Sequence, residues 1–181
     1  MKRRLIIVIS LLILLVGCTL MNSTTSPKRA VEDLLGKYQS LDNKVIEQLD
    51  DVIAGETLTA TQKDDYKALI RKQYQNLTYT IKDELIDGDT AVVTTEIEVF
   101  DFAKANKETD LYVSTNKDEF LDDNDVMSDV LYQDYKIKKL KDVTDRIKYT
   151  LDLELTKTDN KWKVNDLNNV ERQKIHGLYS L

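Results

Sequence analysis

Between Ile147 and Leu155 every second residue is apolar: Ile147, Tyr149, Leu151, Leu153 and Leu155 alternate with Lys148, Thr150, Asp152 and Glu154. Successive side chains on a strand point to opposite faces, so this segment turns one face to a core and the other to water. A period of two sustained over this length excludes an all-helical fold. Asp159-Asn160 turns the chain, and Lys161-Trp162-Lys163-Val164 returns with Trp162 and Val164 inward. A lone hairpin is unstable in water, so other strands and a covering layer must come from the rest of the chain.

A second hairpin supplies the strands. Leu77 to Ile86 favours strand, Asp87-Gly88-Asp89 is a turn in which Gly supplies the positive φ, and Thr90 to Phe100 is rich in Val, Ile and Thr. Helices supply the cover. Ser26-Pro27 suits a helix start, since Ser caps free N–H groups and Pro tolerates the first helical position. Val31, Leu34, Leu35, Tyr38, Leu41, Val45, Leu49, Val52 and Ile53 then form one apolar face, with Asp42-Asn43 as a break point and Gly55 as the stop. Thr61 to Asp64 resembles a capping box for a second helix that carries Tyr66, Leu69, Ile70 and Tyr74 and ends near Asn76.

The stretch from Asp101 to Asp123 has no clear period. Phe102, Ala103 and Ala105 predict a short helix, and Tyr112-Val113 a brief strand. Asn124 is the expected cap of a further helix that buries Val126, Met127, Val130, Leu131, Ile137 and Leu140. A short helix is expected between Asn168 and Leu181. The fold class is α+β.

The first 17 residues predict an address. Lys2, Arg3 and Arg4 precede an apolar run from Leu5 to Val16 of 12 residues, and Gly17-Cys18 closes it. That run is short of the ~20 residues a membrane-spanning helix needs, and its order is that of an export signal. It resembles a bacterial lipoprotein signal, which implies cleavage before Cys18, lipid on Cys18, and a protein held at the outer face of the cytoplasmic membrane. Residues 18–26 then form a polar tether and 27–181 a single domain. Without the three leader cations, 23 of the 26 Lys and Arg face 32 Asp and Glu, a net charge near −9. Such a domain gains nothing from phosphate backbones, which argues against nucleic acid as a partner, and an anionic membrane surface repels it. Cys18 is the single cysteine, so no internal disulfide or cysteine-based metal site is available.

The order helix, helix, hairpin, irregular helical insert, long hairpin resembles the nuclear-transport-factor-2-like superfamily, which includes the ketosteroid-isomerase-like and cystatin-like folds. Ser26-Pro27, Asp87-Gly88-Asp89-Thr90-Ala91-Val92-Val93, Asp101-Phe102-Ala103-Lys104-Ala105 and Asp159-Asn160-Lys161-Trp162-Lys163-Val164 carry the likeness. It implies a cone, in which a curved antiparallel sheet wraps around the N-terminal helices and leaves a pocket at its open end. The chain also resembles small surface lipoproteins of low-GC Gram-positive bacteria. The segment from Asp118 to Leu140 is longer than the compact superfamily pattern.

Candidate chemistry is sparse. His176 is the only histidine and reads as a surface or helix-end residue. Asp122-Asp123-Asn124-Asp125 invites calcium, but Val126 stands where a ligand belongs and no Gly supplies the EF-hand turn, so it reads as a solvated loop. Asp101, between Phe100 and Phe102, could be a base of raised pKa as in ketosteroid isomerase, or a helix N-cap; capping preference favours the cap. Of the nine tyrosines, Tyr38, Tyr66, Tyr74, Tyr79 and Tyr149 fall on apolar faces, as core or as pocket wall. Tyr38, Tyr79, Asp101 and Tyr149 are the pocket candidates. No catalytic set, metal site or cofactor motif is read. The sequence therefore predicts a lipid-anchored, non-enzymatic domain that binds a protein or small-molecule partner. A small-pocket enzyme and an assembly component of a secretion or conjugation apparatus stand as alternatives.

Overall fold

The computed structural model describes residues 26–180. The leader, Cys18 and the tether before Ser26 lie outside the described residues. The order of elements is α1 (Pro27–Gln39), α2 (Asn43–Ala54), α3 (Ala60–Gln75), β1 (Thr78–Asp87), β2 (Thr90–Phe100), α4 (Phe102–Thr115), a 3-10 turn (Lys117–Phe120), α5 (Asp129–Lys141), β3 (Arg146–Thr158), β4 (Lys161–Val164) and α6 (Asn169–Ile175). The strands form one antiparallel sheet in the order β1-β2-β3-β4. The class is α+β, as the two hairpins and the helical periods predict. Among the described residues no helix is long and apolar enough to cross a membrane.

Alternation sets the register. β2 and β3 pair without a slip from Thr90 opposite Thr156 to Phe100 opposite Arg146. A one-residue shift would turn Val93, Ile97, Leu151 and Leu153 out to water, and all four are buried. Both hairpin turns use the predicted residues. Gly88 has φ 57°, and Asp159 and Asn160 have φ 51° and 60°, the left-handed pair that a two-residue turn needs. A bulge at Lys82 shifts β1 against β2. It puts Glu84 opposite Val93, on the inner face, where its carboxylate accepts from the Lys28 N–H at the start of α1 (2.8 Å).

Helices cover the inner face. Val31 and Leu35 of α1 and Leu69, Ile70 and Tyr74 of α3 join Val93, Ile97, Val99, Leu151, Leu153, Leu155 and Trp162 in one core. Each fully buried aliphatic side chain contributes about 1.5–3 kcal/mol. Val164 is only partly buried. The outer face is mostly polar, with Leu85 exposed on it. Thr94 donates to Asp152 (2.7 Å), and Glu96 sits between Lys82 (3.4 Å) and Lys148 (3.2 Å).

Three local expectations are corrected. The capping box is Thr59 with Gln62, two residues before the predicted one, because the Thr59 hydroxyl accepts the Gln62 N–H and the Gln62 side chain returns to the Thr59 N–H. Gly55 ends α2, as expected, and does so in right-handed conformation (φ −74°). Tyr112-Val113 lies inside α4, which carries Val113 and Thr109 to the interior one turn apart. The last helix of the insert starts after Ser128, not Asn124, because Asp122 draws the N–H groups of Asn124 and Val126 into a turn. Of the apolar side chains predicted to be buried there, only Ile137 and Leu140 are; Val126, Met127, Val130 and Leu131 are exposed. The break between α1 and α2 falls at Ser40–Asp42, where Leu41 takes φ 56° and Asp42 caps α2.

Candidate partner-binding surface

Asp101 caps α4: its carboxylate accepts the Lys104 N–H (2.9 Å), while its own N–H donates to the Asp145 carbonyl (2.9 Å). It stands at the lip of a cleft of about 440 Å³ between α4, α5 and the start of β3. Some polar groups of this cleft are engaged with neighbours, while the buried Thr109 hydroxyl on its wall has no hydrogen-bond partner among the described residues. Lys104 pairs with Asp145 at 2.6 Å, the Tyr112 hydroxyl donates to Glu119, and the Tyr112 and Tyr135 rings stack at 5.0 Å with Lys139 over Tyr135. One carboxylate oxygen of Asp101 is thus committed to capping α4.

The candidate tyrosines occupy separate surroundings. Tyr38 meets Tyr74 edge to face at 4.9 Å, and burial raises its hydroxyl pKa. Tyr149 donates to the Tyr179 carbonyl (2.5 Å); burial, with the charge of Asp101 second, pushes it up to about 12. Tyr79 is partly exposed beside Arg29, Glu32 and Asp33 of α1. The inner face of the sheet between them is filled by the core side chains named above.

His176 ends a helix, as expected, and is half-buried. The ring lies against Tyr74 (5.7 Å between centroids), and Nε2 shares a hydrogen bond with the Tyr74 hydroxyl at 2.8 Å. Burial first, and the Arg172 charge second, lower its pKa from 6.5 to about 4. Because the folded value is the lower one, the unfolded chain takes up the proton first as pH falls. The neutral histidine's contribution is therefore full above about pH 6.5 and is lost as pH falls through 4, at most about 3 kcal/mol. His176→Gln is expected to flatten the acid limb of the stability curve between these values. Equal slopes for the variant and the parent chain in urea titrations would refute the assignment.

Beside this pair is a polar clamp that pattern reading missed. Gln73 is fully buried; its amide donates to the carbonyls of Phe100 and His176 (3.0 Å each) and accepts from the Phe100 N–H (2.9 Å). The end of α3, the end of β2 and the end of α6 meet on this one side chain. Gly177 completes it in the left-handed region (φ 70°), with its N–H on Lys174 and the Leu178 N–H on Gln173, the double bond of a Schellman motif. A glutamine near the end of a helix and a glycine after one carry no marker of such a joint.

The side of the domain formed by α4, the 3-10 turn and the start of α5 has a different character. Gln62 ties it to α3, donating to the Val130 carbonyl (3.1 Å) and to Asp134 (2.8 Å). It leaves Leu111 66 %, Val126 58 %, Val130 48 %, Met127 43 % and Leu131 41 % exposed. Val113, Leu121, Met127 and Tyr132 line an apolar groove of about 360 Å³ between the two helices. The bridge between Leu121 and Met127 and the bond from Tyr132 to Asp110 (2.6 Å) hold its walls. From Glu108 through Asp134 the chain carries nine carboxylates and one cation, Lys117. The carboxylates are splayed: among the described residues no three acidic or histidine side chains converge as a metal site would require. Comparison with protein-family models, curated proteins and solved structures finds no match to this chain.

Proposed function

We propose that this protein is a non-enzymatic binding domain, held by lipid on Cys18 at the outer face of the cytoplasmic membrane, and that it meets a protein partner through the α4–α5 side. The observation that carries the reading is the concentration of exposed apolar side chains there, from Leu111 to Leu131; elsewhere such side chains are exposed singly or as the pair Leu85 and Ile86 on β1. Apolar area grouped on one face and rimmed by charge marks an interaction site, whereas scattered single residues do not. The commitment of Asp101 to capping α4 and of Lys104 to Asp145 favours binding over catalysis. The charged outer face of the sheet favours a discrete partner over assembly through that face. The likeness to the nuclear-transport-factor-2-like cone belongs to the same proposal, supported by the order of elements and by helices over one sheet face.

Two measurements test it. Cys18→Ala is expected to abolish membrane retention and leave precursor or released protein; retention of that variant through a salt wash rules out the lipid as anchor. In intact cells, a photoreactive side chain at Leu131 is expected to give a discrete adduct that the same probe at Glu154, on the outer sheet face, does not. Equal yields at the two positions, or none at Leu131, would overturn the choice of surface.

A further inference from the structure

Resting on that reading, we infer that the groove between α4 and α5 receives a basic amphipathic segment of a protein partner, with apolar anchors at helical spacing between Lys or Arg residues. The groove floor is Val113, Leu121, Met127 and Tyr132, which suits aliphatic or aromatic anchors. Asp110, bonded to Tyr132, and Lys117 are the charged residues of its lining, and the chain segments that join the lining residues are anionic. Asp118, Asp123, Asp125 and Asp129 are exposed, and Lys117 is the one cation on the groove wall. A helix laid in such a groove buries one stripe of its side chains and leaves its flanks over the carboxylates, where cations are attracted and anions repelled. The same charge disfavours the other apolar surface at hand, since an anionic bilayer would be repelled by these aspartates.

Burial of carbon explains why the segment is amphipathic, and charge explains its sign. The carboxylates of Asp123 and Asp125 make no contact that shapes the loop, whereas Asp122 holds the turn through the Val126 and Asn124 N–H groups, which lower its pKa. The charges can therefore be removed without disturbing the fold. Asp125 has φ 60°, a conformation Asn accepts as readily as Asp.

The test uses the full lipidated chain in neutral phosphatidylcholine vesicles and three labelled peptides of roughly 14 residues, a length that spans such a groove. One carries leucines at helical spacing with lysines between, the second replaces each lysine by glutamate, and the third has the lysine composition in an order that destroys the apolar face. Fluorescence anisotropy is expected to show saturable binding of the first alone. Asp123→Asn/Asp125→Asn should weaken it roughly fivefold, and Met127→Asp roughly tenfold. Equal binding of the glutamate or scrambled peptide, indifference to both variants, or binding to protein-free vesicles would overturn the inference. So would flotation, abolished by Met127→Asp, of leader-free, released Cys18→Ala protein with phosphatidylglycerol vesicles, which would assign the apolar surface to a membrane. A Leu131 adduct in cells together with failure of the lysine peptide leaves the partner surface standing and removes only its basic ligand. Selective capture of that peptide without an adduct removes the cellular reading alone.

Discussion

Gly177→Ala is expected to lower the stability of the domain by about 3 kcal/mol, and the melting temperature by roughly 10 °C. Two costs combine. The residue holds φ 70°, where any side chain is strained, and an added Cβ would lie 2.1 Å from the Phe100 carbonyl oxygen and 2.3 Å from the Gln73 amide nitrogen. Neither neighbour can step aside readily, because the Phe100 carbonyl and the Gln73 amide are bonded to each other and the amide also holds the His176 carbonyl, while the Ala103 N–H donates to the Gly177 carbonyl (2.8 Å) and fixes the glycine itself. Gly36 is the internal control. It lies within α1, with nothing within 4 Å of an added Cβ, so Gly36→Ala should instead raise stability by ~0.5–1 kcal/mol. Thermal melts followed by circular dichroism distinguish the two. Similar small changes for both variants would show that the α6 joint is not as close as described.

Gln73→Leu should destabilise by a similar or larger amount, about 4 kcal/mol, although it preserves volume and adds apolar surface. The change leaves the N–H and carbonyl of Phe100 and the carbonyl of His176 buried without a partner, at ~1–3 kcal/mol for each group. Urea unfolding is the measurement, with a lowered midpoint and an unchanged slope as the expected outcome. A midpoint equal to that of the parent chain would mean that water or a neighbouring group takes over these bonds. The losses at Gln73 and Gly177 should not add, because the methyl group introduced by Gly177→Ala would meet the very amide that Gln73→Leu removes.

What can be foreseen in the chain follows the range over which each signal acts. Alternation from Ile147 to Leu155 and the Asp159-Asn160 turn are local, and β3, β4 and their connection appear where expected. Asp101 as an N-cap is local too. Tyr112-Val113 is ambiguous because two adjacent apolar residues have no period, and packing of α4 on α5 decides for helix. The start of α5 is easily misplaced because Asn124 and Ser128 are both competent caps, and the Asp122 turn uses up the first. The difference matters, since the apolar residues expected on a buried helix face form the exposed surface on which the function is proposed. Gln73 is invisible for another reason. Its partners lie 27 and 103 residues away, and its neighbours in sequence say nothing of either.

That last separation bears on the order in which the chain can become compact. Ile175 is fully buried, Tyr149 is bonded to Tyr179, and the joint between α3 and β2 is completed only when the His176 carbonyl and Gly177 reach it. Contacts this distant in sequence are slow to close, because the entropy of a large loop is lost before they form. A polypeptide emerging from its N-terminus therefore carries an open seam until the segment from Ile175 to Tyr179 is made. Up to that point the helices and hairpins can form and dissolve without being locked together, and closure of the seam turns a loose assembly of elements into a single cooperative body.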